Sequence, residues 1–110
     1  INSARFLPKL DSSHICSNLH GHTYNIKVSV KGPVNPNTGF VIDAFDIDKY
    51  FAKVHKEIDH KLLNEIKGLE NPTSENICVF VWNRLIKYIP NLHEIEIKEN
   101  NVTGFIYSGD

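Results

Sequence analysis

Methionine is absent from this chain, tryptophan occurs once and cysteine twice. Two cysteines, Cys16 and Cys78, cannot build a disulfide framework, which fits a reducing compartment and leads us to expect a cytoplasmic protein. No apolar run approaches the ~20 residues that span a bilayer, and no signal-peptide pattern opens the chain, so no membrane partner is expected. Charge of one sign is not in excess either. The 12 basic and 13 acidic residues leave a net charge of -1, and their scatter offers no electrostatic footprint for nucleic acid. Repeats, low-complexity stretches and linkers are missing, so the 110 residues read as one domain, 1–110. The absence of methionine suggests that a few residues of a first strand precede Ile1.

What is present concentrates at Cys16-Ser-Asn-Leu-His-Gly-His22. In an extended strand, side chains at i and i+2 share a face, so His20 and His22 can aim two imidazoles at one point. Tyr24, Ile26, Val28 and Val30 continue that parity. The two histidines therefore lie at the mouth of an apolar face, where burial without a partner is costly. They read as a metal pincer with a potential nucleophile or base, Cys16, beside it.

The elements follow from periodicity and punctuation. Residues 1–7 can end a strand closed by Pro8, and 9–19 read as a loop. Residues 23–31 alternate as a strand; 32–39 are dense turn chemistry, and 40–42 are expected to return as its hairpin partner. Asp46 is a plausible N-cap for a helix whose apolar stripe is Ile47, Tyr50, Phe51, Val54 and Ile58. Thr73 can cap a second helix running to Ile89 and stopped by Pro90. Residues 93–98 and 102–107 read as two further strands. The order is ββααββ: an α+β domain with two helices on one face of a four-stranded antiparallel sheet.

Each chemical candidate has a plain structural alternative. His20 and His22 are metal ligands or strand-end histidines satisfied by hydrogen bonds. Cys16 is a small buried hydrophobe or, in a loop beside His14, a thiol whose thiolate an imidazole or metal would favour. Cys78, on an apolar helix face, reads as core. Asp59-His60 is a helix C-terminal pair or a carboxylate that orients a proton-shuttling imidazole. Glu99 shares a strand face with Ile95 and Ile97. It is a strand-end accident or a planted acceptor for a ligand with paired N–H donors. His55 and His93 read as solvated, and the Asn101-Val102-Thr103 sequon is discounted.

Taken together, Cys16–His22, Asn35–Asp43, Ile58-Asp59-His60, Gly68–Glu75 and the run from Lys98-Glu99 to Asp110 resemble the 6-pyruvoyl-tetrahydropterin synthase family over nearly the whole chain. The Gly68–Glu75 and Cys16–His22 runs point to its bacterial branch, the 6-carboxytetrahydropterin synthases of the queuosine pathway. The resemblance implies a tunnelling fold, with subunit sheets joined into a barrel in a trimer or hexamer and active sites between subunits. It implies conversion of 7,8-dihydroneopterin triphosphate to 6-carboxy-5,6,7,8-tetrahydropterin, with loss of acetaldehyde and triphosphate. A pyruvoyl-tetrahydropterin synthase or related side-chain lyase is the alternative, and a catalytically silent pterin-binding protein is another. Zinc would sit on His20 and His22. Cys16 would be the general base and Asp59-His60 would handle the other proton. Glu99 would anchor the pterin, with Thr73 and Ser74 cradling its ring.

One position departs from the family. Its third zinc histidine is replaced by Arg5, which stays protonated and offers only donors. Three outcomes are open: His14 supplies the third ligand, zinc binds through two histidines, or Arg5 grips substrate oxygen directly. The first is preferred.

Overall fold

The computed structural model describes residues 1–100 and 102–110; Asn101, and with it the sequon, lies outside the described residues. The strands are β1 (Asn2–Arg5), β2 (His20–Thr23), β3 (Asn25–Val30), β4 (Leu92–Lys98) and β5 (Gly104–Tyr107). The helices are α1 (Ala44–Ile58) and α2 (Ser74–Leu85), with single 3-10 turns at Ile15–Ser17 and Leu63–Glu65. β1 and β2 form an antiparallel pair, and β3, β4 and β5 form a three-stranded antiparallel sheet in that order. The α+β class and the two helices agree with the sequence reading. None of the described helices is long and apolar enough to cross a membrane.

The expected strand over 23–31 is two strands that share one extended path. Tyr24 separates them: its N–H donates to Ile1 O at 2.7 Å, and the Ile1 amino group donates back to Tyr24 O at 2.9 Å. The parity nevertheless holds through Val28, before a register shift between Ser29 and Val30. His20, His22, Ile26 and Val28 are partly buried, Tyr24 is fully buried, and Thr23, Asn25 and Lys27 are exposed. On β4 the same alternation buries Ile95 and Ile97 completely, worth roughly 1.5–3 kcal/mol each.

The hairpin return at 40–42 is not a strand. Asn35 closes its turn on itself: its N–H reaches Phe40 O and its C=O accepts from Gly39 N, both at 2.7 Å. Its side chain takes the Asn37 N–H at 2.8 Å. Those local bonds use groups a ladder would need, and β3 pairs instead with β4, Ile26 opposite Ile97.

Helix α1 is capped by Asp43, which accepts from Phe45 N at 2.9 Å, not by Asp46, which lies in the first turn where its charge suits the dipole. Its stripe narrows to a buried Val54 and Ile58. Thr73 does cap α2, accepting from Asn76 N at 3.1 Å. That helix ends at Leu85, and the stretch to Ile89 is a terminal turn in which Tyr88 N and Ile89 N both donate to Leu85 O. α2 lies over β4 and β5 and touches α1. The core between them is built from Ile77, Val81, Leu85, Ile95 and Ile97, all fully buried.

β1 is held on both sides, which matters for the site. On one side Arg5 lies opposite His20 and Ser3 opposite His22. On the other, Ala4 N donates to Lys61 O at 2.9 Å and His60 N to Asn2 O at 2.7 Å. Asn64 then clamps Phe6, accepting its N–H at 3.0 Å and donating to its C=O at 2.8 Å.

Candidate active site

Three groups of chemistry-bearing side chains meet around the β1–β2 pair. The first is Cys16, His20 and His22, which line one cavity of about 340 Å³. The i, i+2 spacing brings the two rings edge to face with centroids 4.7 Å apart. His20 Nδ1 lies 2.6 Å from Asn18 O. A carbonyl can only accept, so Nδ1 carries a proton, and in the neutral tautomer the lone pair is on Nε2. That Nε2 is buried without a partner among the described residues, and as a lone-pair acceptor it is the atom a metal or substrate donor would satisfy. Burial, followed by the positive charge of Arg5, holds the His22 imidazole below its ordinary range, which favours the neutral ring that can ligate.

His14 does not join them. Its Nδ1 accepts the Cys16 N–H at 3.0 Å and caps the 3-10 turn, so it is used in shaping the Cys16 loop. Among the described residues no three His, Cys, Asp or Glu side chains gather as a metal-binding group. The donor set therefore fits two positions of a tetrahedral zinc centre, His20 and His22, and leaves the remainder to other ligands. The expectation that His14 is the third ligand finds no support in this arrangement, because its ring is turned to its own loop.

The second group is Asp59-His60, at the end of α1. Asp59 Oδ1 accepts Asn2 N–H at 2.9 Å, and Oδ2 sits 2.7 Å from His60 Nδ1. The bond from Asn2, then the one from His60, holds the Asp59 carboxyl below the usual carboxylate range. His60 is the one non-glycine among the described residues with positive φ, at 55°. That backbone turns its ring outward, its side chain 76% exposed. His60 and His22 line a common open groove of about 590 Å³. An ionised carboxylate on Nδ1 leaves Nε2 as the working nitrogen, the usual arrangement for a proton shuttle.

The third group is Glu99, Thr73, Ser74 and Arg5, which line a cavity of about 220 Å³. Glu99 follows β4 on the parity of Ile95 and Ile97, and Ser74 opens α2, so strand end and helix start meet here. Arg5 reaches them from β1. Its Nη1 donates to Pro72 O at 2.9 Å and to Ser74 Oγ at 3.3 Å, while Nη2 is ion-paired with Glu99 Oε1. Ser74 Oγ donates to the same Oε1. Burial pushes the Glu99 carboxyl up, but the bonds from Ser74 and Arg5 and the Arg5 charge outweigh it, and the net shift is downward. Arg5 is 3% exposed, and its guanidinium lies 5.2 Å from the Tyr24 ring centroid. Burial in turn raises the Tyr24 hydroxyl to about 12, so it stays a neutral phenol.

The profile that describes 6-pyruvoyl tetrahydropterin synthases matches residues 1–110, the whole chain. The chain belongs to the 6-pyruvoyl tetrahydropterin synthase family. An Archaeoglobus fulgidus protein assigned provisionally as a 6-carboxy-5,6,7,8-tetrahydropterin synthase is 38% identical over 85 residues, 77% of this chain and 71% of that one. A Pyrococcus furiosus dihydroneopterin monophosphate aldolase is 37% identical over 89 residues, 78% of this chain and 75% of its own. The solved structure of the Caenorhabditis elegans 6-pyruvoyl tetrahydropterin synthase superposes with a TM-score of 0.91 at 27% identity, covering 99% of this chain and 89% of that one.

The structure brings Cys16, His20 and His22 together, Asp59 together with His60, and Glu99 together with Ser74 and Thr73. Sequence reasoning missed the destination of Arg5. The register that sets it opposite His20 was readable only once β1 and β2 were known to pair. The Asn64 clamp and the Tyr24 ring beneath Arg5 carried no sequence signal of their role.

Proposed function

We propose that this chain is a pterin side-chain lyase that converts 7,8-dihydroneopterin triphosphate to 6-carboxy-5,6,7,8-tetrahydropterin, releasing acetaldehyde and triphosphate, as in queuosine biosynthesis. The observation that carries the reading is the adjacency of two cavities of different chemistry. One holds a carboxylate with two helix-start hydroxyls; the other holds a thiol with two imidazoles. The strand pair that sets Arg5 opposite His20 links them, one suited to a hydrogen-bonding ring and the other to its side chain.

In this reading Glu99, kept ionised, accepts from the amino and ring N–H groups of the pterin, and Thr73 and Ser74 line the ring's walls. Cys16 takes a proton from a side-chain carbon, and His60 Nε2, oriented by Asp59, gives or takes the second. Proton transfers of this kind contribute about 10²–10⁴-fold each. Zinc held by His20 and His22 would supply Lewis-acid polarisation of substrate oxygen. His60 is largely exposed, and β2 and β5 each have one partner strand among the described residues. Both features suit assembly into a homo-oligomer, a trimer or hexamer, in which joined sheets remove the edges and a neighbouring subunit completes the site. A free thiol at Cys16 suits a reducing, cytoplasmic setting.

A second reading, a different cleavage of the same side chain, is favoured by the near-equal identity to the dihydroneopterin monophosphate aldolase. Incubation of the zinc-supplemented protein with 7,8-dihydroneopterin triphosphate, followed by mass spectrometry, separates them. 6-Carboxytetrahydropterin with acetaldehyde is the expected product. 6-Pyruvoyl-tetrahydropterin or 6-hydroxymethyl-dihydropterin would replace the first reading with the second.

A further inference from the structure

We propose that Arg5 is a built-in occupant of the pterin anchor, so that a pterin binds Glu99 only by displacing the guanidinium already on it. The inference rests on the pterin reading of Glu99 and adds what this chain does to that site.

The chemistry of the two donors is the same. The edge of a pterin that carries the exocyclic amino group and the neighbouring ring N–H is a planar, guanidine-like array, and an arginine guanidinium offers the equivalent fork of N–H donors. Two-point docking of either on a carboxylate needs both oxygens. In this chain Oε1 of Glu99 already receives two donors, Arg5 Nη2 and Ser74 Oγ, which fill the lone pairs of that oxygen. A pterin that docks on both oxygens must therefore take the place of one of them. Ser74 belongs to the first turn of α2 and is fixed by that helix; Arg5 is on a long side chain and is the one that can leave.

The Arg5 pairing is also built incompletely, as suits an occupant that can be exchanged. It meets the carboxylate through one nitrogen, with its other terminal nitrogen on Pro72 O and Ser74 Oγ. Its Nε is buried with no hydrogen-bond partner among the described residues. A guanidinium planted solely to stabilise the fold would be expected to satisfy all three nitrogens, since an unmet buried donor is costly. The Glu99 side chain keeps 21% exposure, leaving a face from which a competing ring can approach.

The test is equilibrium binding of neopterin at pH 8 in the presence of a chelator, followed by its own fluorescence, to the wild-type chain, Arg5→Ala, Arg5→Gln and Glu99→Gln. Arg5→Gln keeps a polar side chain at the position while removing the charge, so the comparison survives if Arg5→Ala does not fold. Both Arg5 variants are expected to bind at least tenfold more tightly than wild type, with binding lost in Glu99→Gln. Equal affinity of wild type and Arg5→Gln, with loss in Glu99→Gln, would overturn the role of Arg5 and leave the pterin anchor standing. No neopterin binding by any folded variant would overturn the anchor and the occupant together.

Discussion

Replacing Glu99 with glutamine strands the Arg5 guanidinium. The side chain of Arg5 is 4% exposed and that of Glu99 21%, so the pair is mostly withdrawn from water. Removing one partner of a fully buried ion pair costs about 3–5 kcal/mol, because the remaining charge is left uncompensated. Two features lower that here. Arg5 keeps its bond to Pro72 O and its place over the Tyr24 ring, and Glu99 retains some hydration. We expect a loss of about 2–3 kcal/mol, which for a domain of this size lowers Tm by roughly 10 °C. Thermal denaturation by circular dichroism at constant protein concentration measures it. The double variant Arg5→Met/Glu99→Gln should recover much of the loss, since both charges are then gone, giving a coupling of about 2 kcal/mol in the cycle. The pH dependence has a definite sign. Glu99 is held below its unfolded value of about 4.3, so its contribution is present above that pH and is lost as pH falls through the lower folded value. The wild-type curve should therefore drop more steeply than that of Glu99→Gln below about pH 4. Equal melting temperatures at pH 7, or strict additivity in the double variant, would refute the ion pair as described.

Three further outcomes are expected. Cys16→Ala should leave pterin affinity within about twofold and reduce kcat by ~10²–10⁴; wild-type turnover would remove Cys16 as the base. Asp59→Asn takes away the carboxylate on His60 Nδ1, and kcat should fall at least ~10-fold with KM little changed, whereas an unaltered kcat and pH profile would leave Asp59 only its bond to Asn2. Arg5→His sets a third imidazole directly opposite His20, where cross-strand neighbours lie about 5 Å apart; zinc affinity, read by competition with a chromophoric chelator, should rise at least ~10-fold, and an unchanged affinity would show that Arg5 is not what limits the metal site.

The parity of 20–28 was legible because one face is more buried than the other, and it survived even the break at Tyr24. Glu99 was legible for the same reason, as a carboxylate ending an apolar face. The return strand at 40–42 was misread because local turn bonds around Asn35 take up the backbone groups that alternation alone would assign to a ladder. Asp43 caps α1 in place of Asp46 because either aspartate satisfies the sequence rule and only the hydrogen bond to Phe45 N decides. The ion pair of Arg5 with Glu99, 94 positions apart, is a tertiary event. It depends on β1 pairing with β2 while β4 ends beside α2, and no local pattern encodes that conjunction. His14 was preferred as third ligand because a pincer and base with one imidazole missing would be an odd remnant; its Nδ1 accepts the Cys16 N–H in a short 3-10 turn, a local use no spacing rule signals.

The central claim is that Cys16, His60 and Glu99 serve one reaction on a dihydropterin side chain. Mass spectrometry of the products from 7,8-dihydroneopterin triphosphate with added zinc tests it most directly. The account predicts 6-carboxy-5,6,7,8-tetrahydropterin with stoichiometric acetaldehyde and triphosphate; recovery of unchanged substrate from folded, zinc-supplemented protein would contradict it.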